Sequence, residues 1–420
     1  MKTSRYNIFI KESQRCYVYN TFSSMIVEVD KETWELLKMK EIPVNSKELI
    51  NAKMIIQDEY DELKEIKKTY HTQQKKGRTL IITLALTLGC NFACPYCYEN
   101  RDNRKISKEK QNMFIKFIGD QLKSNKFDNL FLTWFGGEPL LALSEINYLN
   151  ERINELCLKY NINKLSFIST NAYLINERNI EFIKNLNLSD CYITIDGGKE
   201  THDKTRVLHN GEGTYDVIIN NLKLLTKHNI PYSIRININK ENQQNAKTLL
   251  KELKDLKVPY DRVFLGHIQS FTSSCKDCEK SLSKKEFANI NHNFNCRTNQ
   301  FNDLPCRRWT HCRAALNNNF VLDPQLNVYQ CENDLGREEK RVGFIDLNGS
   351  LIKSKKNPYI EWDPFSFKKC LKCNCLPICL GGCLFMGIKD GKPQCRAEKY
   401  VLNKMIKRYI RDNSLKNKQK

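Results

Sequence analysis

Leu88-Gly-Cys90-Asn-Phe-Ala-Cys94-Pro-Tyr96-Cys97-Tyr-Glu-Asn100 closes the apolar run Leu80-Ile-Ile-Thr-Leu-Ala-Leu-Thr-Leu88. A short apolar run that ends in a turn-forming stretch reads as a strand and the loop at its C-terminal end. The C-x3-C-x2-C spacing therefore lies on a loop at a strand end. Three thiolates can ligate three irons of a cubane, and a fourth iron without a protein ligand stays open for chemistry. The spacing alone also admits a zinc site short of its fourth ligand, or three unpaired core cysteines.

Outward from this loop, apolar runs at 80–88, 129–135, 164–168, 191–195, 233–238 and 263–268 alternate with helical patterns such as Tyr215–Leu225. Strand and helix in repeated order predict parallel βα units. Chemistry-bearing stretches follow these runs in order: Leu132-Thr-Trp-Phe-Gly136-Gly137-Glu138-Pro139, then Phe167-Ile-Ser169-Thr-Asn171-Ala172, then Tyr192-Ile-Thr-Ile-Asp196-Gly197 with His202-Asp-x-x-Arg206. Each is weak alone; together, at strand ends that converge on one barrel mouth, they are specific.

On these residues the chain resembles the radical S-adenosylmethionine (SAM) enzymes. The resemblance implies an α/β fold built on a partial (β/α)6 TIM-type barrel and a 4Fe-4S cluster on Cys90, Cys94 and Cys97. In that family the open iron binds the amino and carboxylate groups of SAM, and an electron from the cluster cleaves it to a 5'-deoxyadenosyl radical. By the same resemblance Tyr96 packs near the adenine, and the Gly136-Gly137-Glu138 segment lets backbone carbonyls approach the SAM amino group. Ser169 and Asn171 would face the methionine part, while Asp196 and Arg206 lie on the strand and loop where the arginine can pair with the SAM carboxylate. Ala172 stands where the pattern has glycine.

Of 18 cysteines, nine fall between Cys306 and Cys395. No secretory signal is legible, and no apolar run approaches the ~20 residues that span a bilayer. The expectation is a cytoplasmic protein without membrane association, in which clustered cysteines bind metal rather than form disulfides. Cys370-x2-Cys373-x5-Cys379-x3-Cys383, with Cys395 after it and Cys306-x5-Cys312 and Cys331 before it, resembles the SPASM extension of radical SAM enzymes. That resemblance implies one auxiliary 4Fe-4S cluster on Cys306, Cys312, Cys331 and Cys383 and another on Cys370, Cys373, Cys379 and Cys395, for three clusters in all. Leu326 replaces a usual glycine five residues before Cys331. Structural zinc ribbons are the alternative. Cys375 has no place in the pattern; Cys275, Cys278 and Cys296 could form a zinc site or a redox pair, or be solvated thiols. Cys16, Cys157 and Cys191 read as small buried residues.

Short strands at 6–10, 16–19 and 25–29, followed by helical patterns at 31–38, 46–54 and 59–70, resemble the winged-helix-like precursor-recognition domain of peptide-modifying radical SAM enzymes. An edge strand there can pair with an extended leader peptide. A barrel lid and a DNA-binding winged helix are the competing readings. The expected organisation is 1–76 for this domain, 77–268 for the barrel, 269–305 for a linker, 306–400 for the SPASM domain and 401–420 for a basic helical tail, with a polar linker at His71–Arg78. The net charge is +20, and residues 396–420 carry nine basic against two acidic side chains. Charge spread this broadly favours acidic partners such as a leader peptide, and without interleaved aromatic motifs nucleic acid is not expected.

The resemblance thus implies an oxygen-sensitive oxidoreductase that modifies a ribosomally made precursor peptide, Cys-rich by preference, forming cysteine thioether or related crosslinks. Flavodoxin or ferredoxin would be its reductant. The alternative is an anaerobic sulfatase maturase, which converts Cys or Ser to formylglycine. Its relatives place a catalytic carboxylate after the cysteine matching Cys331, where this chain has Glu332. A cluster-bearing DNA regulator is the third reading.

Overall fold

The structure is a computed structural model that describes all residues except 45, 100, 101, 125, 261, 270–277, 299–303, 355, 419 and 420, and the backbone alone at 278, 295–298 and 414–418. Cys275 and the side chains of Cys278 and Cys296 therefore lie outside the described residues. The chain forms two compact units, one from 1–76, 283–316 and 359–420, the other from 77–282 and 317–358.

In the first unit, strands β1 (Lys2–Thr3), β2 (Asn7–Glu12), β3 (Arg15–Asn20), β4 (Met25–Val29) and β5 (Ile55–Ile56) form an antiparallel β2-β3-β4 sheet and a β1-β5 pair. Period-two alternation gives the larger sheet two apolar faces. Cys16, Val18 and Val27 pack with Trp34, Leu37 and Leu49 of the neighbouring helices and with Met54 just before β5. Ile8, Ile10, Tyr17 and Tyr19 pack with Leu402, Ile406 and Ile410 of the C-terminal helix Glu398–Lys418. The N-terminal segment and the tail thus share one core instead of standing as separate bodies. Two stretches expected to be irregular are helical. The helix Glu62–Lys76 runs through the predicted polar linker because Tyr70 and Gln74 are buried, Gln74 Nε2 donating to the Ile360 carbonyl at 2.9 Å. Lys284–Thr298 is a helix beside the tail, with Lys404 Nζ on Asn289 Oδ1 at 2.5 Å.

The second unit holds β6 (Thr79–Ala85), β7 (Asn129–Phe135), β8 (Asn163–Thr170), β9 (Leu188–Thr194), β10 (Tyr232–Ile238) and β11 (Val263–His267), all parallel and in sequence order. Helices Lys108–Lys123, Leu143–Lys159, Ile180–Asn185, Tyr215–Lys227 and Ala246–Asp255 connect them. On β6, Leu80, Ile82 and Leu84 are fully buried on one face and Thr83 lies on the other; the period of two divides helix-facing from lumen-facing positions. Residues 317–358, expected in the C-terminal extension, continue this sheet. β12 (Asn319–Leu322) adds in parallel to the free edge of β6, and β13 (Asn327–Tyr329), β14 (Gly343–Ile345) and β15 (Leu351–Lys353) follow as an antiparallel meander. All four residues of β12 are buried, so an apolar run covers an edge that would otherwise expose unpaired backbone. Cys16, Cys157 and Cys191 are buried as expected. Among the described residues no helix is long and apolar enough to cross a membrane.

Candidate active site

The cysteine loop leaves β6, and Cys90, Cys94 and Cys97 are all half-buried. Its course is fixed by backbone contacts: Ala93 N–H donates to the Val207 carbonyl at 2.8 Å, and Phe92 bridges to Leu208. At the end of β7, Gly136 has φ +132°, and a Cβ there would collide with the Thr87 carbonyl; one on Gly137 would collide with that of Gly89. Gly137 and Glu138 N–H groups instead bond the Thr87 and Gly89 carbonyls at 3.1 and 2.9 Å. Glycine is needed because backbone meets backbone, and the partner is the cysteine loop itself.

Glu138 is fully buried and joins two strand ends. It accepts from Leu140 N at 3.0 Å, Thr170 Oγ1 at 2.7 Å and Asn171 N at 2.7 Å. Burial raises its pKa, and these donors oppose the rise. Asn171 Nδ2 donates to Asn91 Oδ1 at 2.8 Å and lies 3.9 Å from Cys90 Sγ. Ala172 takes φ 63°, and Leu326 takes φ 62°: both replacements of glycine keep the left-handed backbone that glycine serves. Ser169 is half-buried on the same face of β8 as Phe167.

Tyr96, Asp196 and Arg206 come together. The Tyr96 hydroxyl donates to Asp196 Oδ2 and accepts from Arg206 Nη1 at 2.8 Å. Asp196 Oδ1 accepts from Asn237 N at 3.1 Å, and burial raises the carboxyl's pKa. His202, kept neutral by burial, accepts from the Asp196 N–H at 3.4 Å and meets Thr214 Oγ1 at 3.0 Å. Arg206 is buried, with its guanidinium 5.4 Å from the Phe92 ring centroid and its Nε without a partner among the described residues. A carboxylate would satisfy that donor. The three thiols, the close-packed glycine turn and this orphan donor fit a cluster with an amino-acid-bearing ligand.

Glu332 Oε1 accepts from Thr83 Oγ1 at 3.3 Å, which puts the carboxylate on the lumen side of β6. Tyr98 lies near it: burial first, then Glu99 and Glu332, push its hydroxyl pKa up. Below, Phe131 and Phe167 stack at 4.3 Å between centroids and Phe167 and Tyr192 at 5.9 Å. Thr83, Tyr98 and this ladder are lumen residues the motifs did not single out. Strand parity relative to Ser169 could have found Phe167 and Tyr192.

In the other unit, Cys370, Cys373, Cys379 and Cys395 line one small cavity together with Lys369, Leu376, Gly381, Pro393 and Lys399. Leu380, Gly381 and Gly382 all have positive φ, and Gly382 pairs so closely with Gln394 that any Cβ would clash with its carbonyl. That turn folds the Cys379 segment back onto Cys395. A hydrogen bond from Cys375, with Lys399 nearby, holds the Cys373 thiol below the usual thiol range; one from Cys379, again with Lys399 nearby, does the same for Cys395. Four thiols around one cavity are the donor set of a cubane. Among the described residues no three His, Cys, Asp or Glu side chains gather on a single ion. Of the other expected set, Cys306, Cys312 and Cys383 belong to this unit and Cys331 to the barrel unit.

Residues 84–253 match the family model for the Radical SAM superfamily. This part of the barrel unit thus matches the radical SAM domain, a family that implies a 4Fe-4S cluster and SAM. A cysteine-type anaerobic sulfatase-maturating enzyme of Clostridium novyi is 26% identical over 330 residues, covering 70% of this chain and 84% of that protein. Among solved structures, native anSMEcpe with bound AdoMet and Cp18Cys peptide has a TM-score of 0.56 at 16% identity, over 79% of this chain and 99% of that one. Streptococcus suis SuiB bound to precursor peptide SuiA has a TM-score of 0.52 at 16% identity, over 95% of this chain and 99% of that one. The chain thus resembles radical SAM/SPASM enzymes of both the sulfatase-maturating and the peptide-maturing kind.

Proposed function

We propose that this protein is a radical SAM/SPASM maturase that modifies a ribosomally made, leader-bearing peptide by forming cysteine thioether or related crosslinks. The supporting observation is the extent of the match. The sulfatase-maturase fold covers 79% of the chain, whereas that of SuiB, whose structure holds a precursor peptide, covers 95%. The chain's N-terminal α+β segment suits leader recognition, because β4 lies at a sheet edge with Met25 and Glu28 exposed, where an extended peptide can add as a strand.

Cys90, Cys94 and Cys97 would hold the SAM-binding cluster, whose chemistry when loaded is one-electron cleavage of SAM for hydrogen abstraction. Arg206 would orient the SAM carboxylate through its orphan Nε, held in place by the Tyr96 hydroxyl. The aromatic ladder and Thr83 would exclude water from the lumen, and Glu332 would take the proton of the substrate thiol. Cys306, Cys312, Cys331 and Cys383, and Cys370, Cys373, Cys379 and Cys395, would hold the auxiliary clusters, with flavodoxin or ferredoxin as reductant.

A second reading, sulfatase maturation, is favoured by the lumen placement of Glu332. The test is anaerobic turnover of each candidate peptide. A crosslink lowers the mass by two hydrogen atoms and leaves one thiol closed to alkylation; formylglycine formed from Cys loses the sulfur and leaves an aldehyde that hydrazides capture. An aldehyde product overturns the crosslinking proposal.

A further inference from the structure

Lys399 occupies a place that helix physics disfavours. It is the second residue of Glu398–Lys418, within the first turn, where the unsatisfied N–H groups and the macrodipole repel a cation. It is nonetheless turned inward, half-buried, onto the wall of the cysteine cavity, with Nζ 3.7 Å from Cys395 Sγ. Its neighbours fix that course: Arg396 pairs with Glu398 at 2.8 Å, and the Lys399 N–H reaches the Arg396 carbonyl at 3.3 Å. The other cavity lysine, Lys369, is exposed. Negative charge on the sulfur side is what balances an ammonium in this position.

We propose that Lys399 is a positioning and redox-tuning residue for the cluster of Cys370, Cys373, Cys379 and Cys395. Its ammonium, hydrogen-bonded to the Cys395 sulfur, raises the cluster's reduction potential and makes this the more readily reduced auxiliary site. The inference rests on the reading that these four cysteines hold a 4Fe-4S cluster. One-electron reduction from the 2+ to the 1+ level makes and breaks no bond and adds one negative charge. A fixed cation and a hydrogen bond to a ligand sulfur both favour the more negative state. Lys369, being solvated, contributes through a screened interaction and should matter less.

The experiment is an EPR-monitored dithionite titration of the anaerobically reconstituted full-length enzyme and its Lys399→Gln, Lys399→Arg and Lys369→Gln variants, with iron counted in each. The expected result is full iron in all four. In Lys399→Gln one midpoint should fall by at least the ~59 mV of a tenfold shift in the one-electron ratio, while Lys399→Arg keeps most of the wild-type value and Lys369→Gln moves less than Lys399→Gln. Full iron with every midpoint unchanged in Lys399→Gln overturns the role and leaves the cluster assignment standing. Should Lys399→Gln lose iron, wild-type protein grown on 15N-lysine decides: a lysine nitrogen coupling on a reduced cluster signal supports the contact, and its absence overturns it. Wild-type iron that does not fall on Cys373→Ala sinks the cluster reading and the inference with it.

Discussion

Arg206 Nη1 donates to the Tyr96 hydroxyl at 2.8 Å, which ties the cysteine loop to the segment after β9 across more than a hundred residues of chain. That hydroxyl also donates to the buried Asp196, so it stands between a buried cation and a buried carboxylate. Tyr96→Phe removes both bonds and leaves charged groups without their neutral bridge. A lost bond to a charged group is worth about 1.5–3 kcal/mol. The variant should take up full iron, unfold about 2 kcal/mol earlier in denaturant, and bind SAM roughly tenfold more weakly. Equal SAM affinity in calorimetry would show the bridge to be structural only.

Ala172 carries φ 63° with a fully buried side chain. An L-residue in this region costs about 1–2 kcal/mol, so Ala172→Gly should stabilise the protein by about 1 kcal/mol. Leu326 has the same backbone, but the fully buried side chain there is far larger than the Ala172 methyl. Removing it forfeits more than the relieved strain, and Leu326→Gly should lose about 2 kcal/mol. Urea unfolding of the pair reads both signs.

Lys164 has its pKa lowered from 10.5 to about 8 by burial, against the nearby Cys157 thiol. The folded chain thus binds this proton less tightly than the unfolded one. Charging the buried amine therefore costs stability, a cost that is absent above pH 10.5, grows as pH falls and is fully present below about 8. Lys164→Met abolishes it. The variant's stability advantage over wild type should grow from about pH 10.5 down to 8 and level off below. A constant difference across that window would contradict a buried amine.

The six barrel strands were legible because apolar runs alternate with helical patterns and the first four end at chemistry-bearing turns, and β7 begins and ends at Asn129 and Phe135 as predicted. Local patterns reveal a strand but not what it pairs with. Asn319–Leu322 is as apolar as a barrel strand, yet nothing local tells it to join β6. Nor does the polar composition of His71–Lys76 show that Gln74 finds the Ile360 carbonyl. At the site, motif order located Tyr96, Asp196 and Arg206 but assigned each to a ligand; that they bond one another is a tertiary fact. Thr83 escaped notice because one hydroxyl in an apolar run carries no signal until Glu332 reaches it from 249 residues away.

Glu332 and Thr83 give the sharpest chemical test. A carboxylate bonded to a strand hydroxyl inside the lumen either removes a proton from substrate or merely fills a polar site. Glu332→Gln separates the two, since its amide oxygen can still accept from Thr83 Oγ1 but cannot take a proton. A general base contributes about 10²–10⁴-fold, so product should fall by at least about a hundredfold. Precursor binding, iron content and reductant-driven formation of 5'-deoxyadenosine should all persist. Replacing Cys90, Cys94 and Cys97 with Ala should instead abolish product and 5'-deoxyadenosine together and remove about a third of some twelve irons. Removing residues 1–76 is not a usable control, because Tyr6, Phe22 and Tyr70 pack with Phe365 and Leu376 in the same core. If Glu332→Gln turns over as fast as wild type, the carboxylate merely fills a polar site, and the geometric observation that favours formylglycine chemistry goes with it.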